Sequence, residues 1–200
     1  MARLTPTERR QAIIEATLAV ARRQGLGATT VRDVAAEMGT SSGLIHHYFT
    51  SMDEVLASAF QQAAGADLDR ARRRIDAEPD PVDQLDALIE SYAPTHADWT
   101  MQLWLDAWSE AARRPALQAV SRSLNREWQA LVRAIMEAGA KRGQFSVDDA
   151  DAAAWRLLSL LDGLALQVVA HDTLITRDDL LAWARNAATR ELGLPAIDRG

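Results

Sequence analysis

An all-α protein of about nine helices is predicted, and three observations predict it. Alanine, leucine and arginine, all strong helix formers, recur along the whole 200-residue chain. No stretch alternates β-branched and polar residues with the two-residue period of a strand. Proline and glycine stand at Pro6, Gly25, Gly27, Gly39, Pro79, Pro81, Pro94, Pro115, Gly143 and Pro195, and cut the chain into helix-sized pieces. With 48% hydrophobic and 25% charged residues, the composition suits a globular chain of one large or two small domains.

The first helix is expected over about residues 7–24, with Ile13, Thr17 and Val20 on one face and Ile14, Leu18 and Ala21 beside it. Gly25 or Gly27 ends it, since either tolerates a left-handed cap. A short helix over about 30–38 starts at Thr30, a natural N-cap, with Asp33 where a capping box places its acid. Gly39 closes it, and a second short helix follows over about 42–48. The fourth helix begins near Ser51, with Asp53 and Glu54 at its positive end, and reaches about 77. Later helices are expected over about 81–93, 96–113, 115–141, 148–171 and 176–192. With no flexible linker, the division falls near residue 50, giving domains 1–50 and 51–200 joined through the fourth helix.

Several function classes are excluded early. The chain has no cysteine, hence no disulfide and no thiolate nucleophile or ligand. Its histidines, His46, His47, His96 and His171, form no HExxH pair or Glu-x-x-His set, and no GxSxG, P-loop or GxGxxG motif occurs. No catalysis, metal or cofactor is therefore expected. No apolar run is expected to cross a bilayer, and Arg3, Glu8, Arg9 and Arg10 break any signal-peptide core. A cytoplasmic protein without a membrane partner follows as the expectation.

A net charge of -6 speaks against a nucleic-acid partner until its distribution is read. Residues 1–52 carry six arginines against Glu8, Glu15, Asp33 and Glu37, while the remainder carries 16 basic and 24 acidic groups. A mildly basic head on an acidic body allows a local DNA contact. Two short helices separated by a glycine turn, behind a longer helix, match the geometry of helix-turn-helix readers. Val31, Val34, Ala35 and Met38 can pack the first short helix inward, and Leu44 or Ile45 the second. Ser42, Gly43, His46 and His47 then remain for the major groove. Arg70, Arg72, Arg73 and Arg74 lie well beyond the reader and are expected to form a solvated face.

The run TTVRDVAAEMGTSSGLIHHYF, Thr29 to Phe49, resembles the signature of the tetracycline-repressor-like (TetR) family of transcriptional regulators. Its ending, together with WLDAWSEAARRPAL from Trp104 to Leu117 and LLDGLALQ from Leu160 to Gln167, resembles the branch of choline-responsive repressors of betaine synthesis. The resemblance implies that Thr30 caps its helix and meets a phosphate. It also implies that Ser42, Gly43, Leu44 and His46 face base edges, with His47 and Tyr48 at the DNA backbone or groove wall. Two positions depart from many relatives, which carry tyrosine at His46 and a phosphate-binding lysine at Met52. Loss of that lysine implies a shallower salt dependence unless Arg3, Arg9 or Arg32 substitutes.

For the second domain, Met101, Trp104 and Trp108 share a helical face, with Asp106 and Glu110 (and Glu90) nearby in sequence. That set reads either as core or as the wall of a pocket for an organic cation. The eighth helix is apolar almost all round and needs partners on more than one side. Leu157, Leu161, Leu164 and Val168, with Leu181 and Trp183 of the ninth helix, are the expected homodimer contacts, and Gly163 would permit close approach. Asp162 is a buried-acid candidate, satisfied by Arg156 or a neighbour, or open to the pocket. The expected function is a ligand-responsive repressor bound to a palindromic double-stranded operator. A small molecule entering between helices four to eight shifts the fourth helix and spreads the two readers. A helical protein-interaction adaptor and an all-helical enzyme are the alternatives.

Overall fold

The computed structural model describes residues 4–93, 99–171 and 174–194. Among the described residues it contains nine α-helices and no strand: α1 (Pro6–Gln24), α2 (Val31–Glu37), α3 (Ser42–Tyr48), α4 (Met52–Asp76), α5 (Pro81–Tyr92), α6 (Thr100–Ala111), α7 (Pro115–Lys141), α8 (Ala150–Ala170) and α9 (Arg177–Glu191). The expected start of the sixth helix near 96 lies outside the described residues, as do Arg3 and His96.

Local chemistry sets most of the helix starts. Thr5 with Glu8, Thr30 with Asp33 and Thr176 with Asp179 form full capping boxes, so reciprocal bonds satisfy amides that the helix leaves open. These bonds hold the Glu8, Asp33 and Asp179 carboxyls below the usual carboxylate range. Asp80 and Asp149 cap α5 and α8 through a single side-chain bond each. Gly39, at φ 62°, makes the turn after α2 in a conformation costly for any other residue.

The chain forms two compact units, one of residues 1–66 with 102–124, the other of 67–101 with 125–200. In the first, Ile13, Ile14, Val34, Ala35, Ile45, Phe49 and Val55 form one core that joins α1 to α4. Three acids tie the rest of this unit to it. The Leu26 amide, in the turn after α1, donates to the Asp106 carboxylate of α6 at 2.8 Å. Glu110 lies so close under Gly27 that an added Cβ would sit 2.9 Å from its Oε1. The Ala116 amide, in the first turn of α7, donates to Asp53 at 2.9 Å.

In the second unit α8 packs against α9 and α5 through Ala153, Leu157, Leu161, Leu164, Leu180, Leu181 and Ala184. Arg185 of α9 grips Asp86 of α5 at 2.5 and 3.1 Å and reaches Glu90 at 3.1 Å. α8 corrects one expectation, because its 21 residues are long and apolar enough, by length and composition, to cross a membrane. It also carries Arg156 and Asp162 and buries one face among its neighbours, as the core helix of a bundle does.

Candidate functional site

α3 has a split personality written in its burial. Ile45 is 1% exposed and belongs to the core, so Ile45 rather than Leu44 is the inward anchor. Gly43, His46 and His47 are exposed, while Ser42, Leu44 and Tyr48 are partly so. Successive α-helical positions stand about 100° apart, so one anchored residue fixes the direction of every other side chain on this two-turn helix. Thr30 is exposed, but its hydroxyl is engaged in the capping box, donating to Asp33 at 2.6 Å. Tyr48 packs partly against the core and meets the His47 ring edge-on at 5.0 Å. Met52 also packs on this core.

Sequence reasoning missed Arg10. Its guanidinium donates to the Tyr48 carbonyl at 2.8 Å and to Glu54 at 3.0 Å, and stands 3.9 Å over the Phe49 ring. It closes the C-terminal end of α3, where carbonyls lack helical partners, and fastens α3 to α1 and α4. Nothing in the spacing of Arg10 distinguishes it from Arg9, because its partners are 38 and 44 residues away. Three of the four arginines of α4 pair with acids: Arg70 with Asp67, Arg72 with Asp69 and Glu127, and Arg74 with Glu90.

The expected effector residues divide. Trp104 is 6% exposed, with its ring edge-on to Phe60 at 4.9 Å, and Trp108 lies beside it at 5.6 Å. Asp106 accepts from Leu26 and Gln102, and Glu110 accepts from Arg113 at 2.7 Å and Arg114 at 2.9 Å. Both carboxylates therefore already have protein partners. Met101 is partly exposed.

Asp162 is mostly withdrawn from water, and burial pushes its carboxyl up to about 6, opposed by a hydrogen bond from the Tyr92 hydroxyl. Arg156 does not satisfy it, because Arg156 pairs with Glu191. Tyr92 also meets the buried Trp128 ring edge-on at 5.0 Å. Burial and the neighbouring Asp162 and Asp67 charges hold the Tyr92 phenol well above its ordinary range. Among the described residues no group of three potential metal ligands occurs.

The expected dimer residues also divide. Leu157, Leu161, Leu164 and Leu181 are between 0 and 9% exposed and fill their own subunit's core. The wide apolar surface of α8 is shared: its neighbours absorb those leucines, and another strip remains open. That strip holds Trp155 at 38% and Leu166 at 37% exposed, with Trp183 of α9 at 50%. Val168 is intermediate, and an added Cβ at Gly163 would meet nothing within 4 Å.

Comparison with known proteins fits this geometry. Residues 13–59 match the tetR family of bacterial regulatory proteins, and residues 81–193 match the C-terminal domain of BetI-type transcriptional repressors. The HTH-type transcriptional regulator BetI of Stenotrophomonas maltophilia is 33% identical over 118 residues, 58% of this chain and 60% of that protein. BetI 1 of Chromohalobacter salexigens is 35% identical over 62% of each chain, so the match spans about three fifths of these two relatives. With BetI of Rhizobium meliloti the identity is 32% over 165 residues, 80% of this chain and 77% of that one. A solved structure from Saccharomonospora viridis, described as a candidate transcriptional regulator in complex with choline, superposes with a TM-score of 0.82 at 26% identity, covering 93% and 98% of the two chains. The helix-turn-helix head and the helical body together make this chain a member of the TetR family, with a C-terminal domain of the BetI type.

Proposed function

We propose that the protein is a homodimeric transcription repressor that leaves a palindromic operator when an organic cation binds its second unit. The observation that carries this reading is α3, anchored by Ile45 and clamped by Arg10, which turns Gly43, His46 and His47 to solvent. A short helix held on one side and open on the other fits the major groove of B-form DNA. The open strip of Trp155, Leu166 and Trp183 supports pairing with a second copy. Two readers about 34–36 Å apart would then enter successive major grooves on one side of the duplex. Family membership sets aside the enzyme reading and implies a cytoplasmic setting.

Release needs a path from effector to reader. Asp106 and Asp53 fasten α6 and the start of α7 to the same compact unit as the reader. Movement of those helices would therefore carry the reader with it. A hundredfold loss of operator affinity requires about 2.7 kcal/mol of coupling.

A mobility-shift assay on DNA flanking the protein's own gene tests the reading. A retarded dimer complex at low salt that choline dissolves is the expected result. Absence of any shift at low salt would overturn it and favour a protein-interaction adaptor.

A further inference from the structure

We propose that the cleft between α5 and α9 is a second small-molecule site, which takes a free apolar α-amino acid in its zwitterionic form. The cleft has a volume of about 520 Å³, within the range of pockets that hold small ligands. Every residue that lines it belongs to the second compact unit. On α5, Val82, Leu85 and Ile89 recur at helical spacing and supply an apolar wall, of which Leu85 and Ile89 are buried. On α9 the lining includes Ala182 and Ala188, whose small side chains leave space that a leucine would fill. None of Trp104, Trp108, Trp155, Leu166 or Trp183 lines the cleft, so it is separate from the tryptophans expected at the effector and from the open pairing strip.

The polar side of the cleft offers a partner to each charge of such a molecule. Arg185 donates from Nε to Asp86 at 2.5 Å, and from Nη2 to Asp86 and to Glu90 at 3.1 Å each. The two N–H groups on its Nη1 have no hydrogen-bond partner among the described residues. Glu90 also pairs with Arg74 of α4. Two carboxylates thus meet two guanidinium groups, and their charges cancel. Asp86 and Arg185 keep partial contact with water, so an incoming molecule can reach both. Asn186 and Thr189 line the α9 side of the cleft, and neither side chain has a hydrogen bond among the described residues.

Balanced charge selects the ligand. A simple anion at Arg185 also meets Asp86, and a simple cation at Asp86 also meets Arg185, so each gains little. A zwitterion satisfies both: its carboxylate accepts from Arg185 Nη1, and its ammonium donates to Asp86. An α-amino acid carries the two groups on one carbon, which matches the contact distance of the Asp86–Arg185 pair. That bidentate pair fixes both contact points before the ligand arrives, and so lowers the ordering cost of binding. The ammonium needs N–H groups to donate to Asp86, and a quaternary ammonium has none. Val82, Leu85 and Ile89 receive the apolar side chain, while Asn186 and Thr189 add donors for the carboxylate.

Calorimetric titration of the full-length protein with L-leucine at neutral pH tests the site, with isocaproate (no ammonium) and isoamylamine (no carboxylate) as controls. L-leucine is expected to bind about tenfold or more tightly than either, the scale of one charge-assisted contact. Asp86→Asn should lower leucine affinity about 10–100-fold and leave isocaproate nearly unchanged. Ala182→Trp, at an exposed position on the cleft, should abolish leucine binding and leave operator binding as it is. A folded Asp86→Asn protein that binds leucine like the wild type overturns the site. If Asp86→Asn does not fold, unchanged leucine affinity in Ala182→Trp overturns it. So does a wild type that binds neither L-leucine nor L-phenylalanine below about 1 mM. Direct competition between choline and leucine would place leucine in another pocket and overturn the assignment as well.

Discussion

Asp106→Ala offers a sharp test of how the reader is held. The carboxylate accepts from the Leu26 amide at 2.8 Å, and Leu26 itself is fully buried. Removing the acceptor takes away the partner of this part-buried amide. A hydrogen bond to a charged group contributes about 1.5–3 kcal/mol, and the stranded amide costs a similar amount. For a chain of this size 1 kcal/mol moves the melting temperature by about 2–4 °C, so a fall of roughly 3–12 °C is expected. Asp106→Asn keeps one acceptor oxygen and should lose about half as much. Differential scanning calorimetry of the protein without ligand gives the number, and operator titration beside it reads the loosened reader. An Asp106→Ala protein that melts within 1 °C of wild type would refute the anchoring argument. If that variant also ceased to respond to choline, Asp106 would be an effector contact instead.

On α3, His47→Ala should weaken operator binding by about tenfold with an unchanged melting temperature, because the side chain is exposed. Tyr48→Ala should weaken binding and also cost about 1–3 kcal/mol by calorimetry, since Tyr48 packs on the core. Asp162 gives a pH signature. Its carboxyl is near 6 in the folded protein against 3.8 as the ordinary value, so between about pH 4 and 6 the folded chain holds a proton that the unfolded chain releases. That contribution to stability therefore falls as pH rises through the window and is level above it. Denaturant titrations of Asp162→Asn should lose this slope and gain on the order of 1–3 kcal/mol at pH 7.5. Trp183→Glu combined with Trp155→Glu should shift sedimentation from dimer to monomer, and an unchanged dimer would place the interface elsewhere.

The helix order was legible in the sequence, and so was the reading helix. Ser42–Tyr48 and Pro115–Lys141 coincide with the predicted ranges, and most of the other ends differ by one or two residues. The reason is local: capping threonines and aspartates, helix-initiating prolines and Gly39 act over three or four positions, and a sequence displays those directly. The fourth, fifth and ninth helices are similarly bounded by residues that neighbour their own ends. The sixth helix fits less well, with α6 running from Thr100 to Ala111 against an expected 96–113.

What the amino-acid order determined by itself is therefore the helical class, the punctuation and the exposed character of His46 and His47. Partnership was decided only by the tertiary structure. Asp106 lies 80 residues from the amide it serves, Arg10 lies 44 from Glu54, and Tyr92 and Asp162 meet from different helices. An apolar stripe on α8 likewise cannot announce that its own subunit will bury Leu157 and Leu161 and leave Trp155 and Leu166 open. Periodicity reports that a face is apolar, whereas the packing of all neighbouring helices assigns that face its occupant.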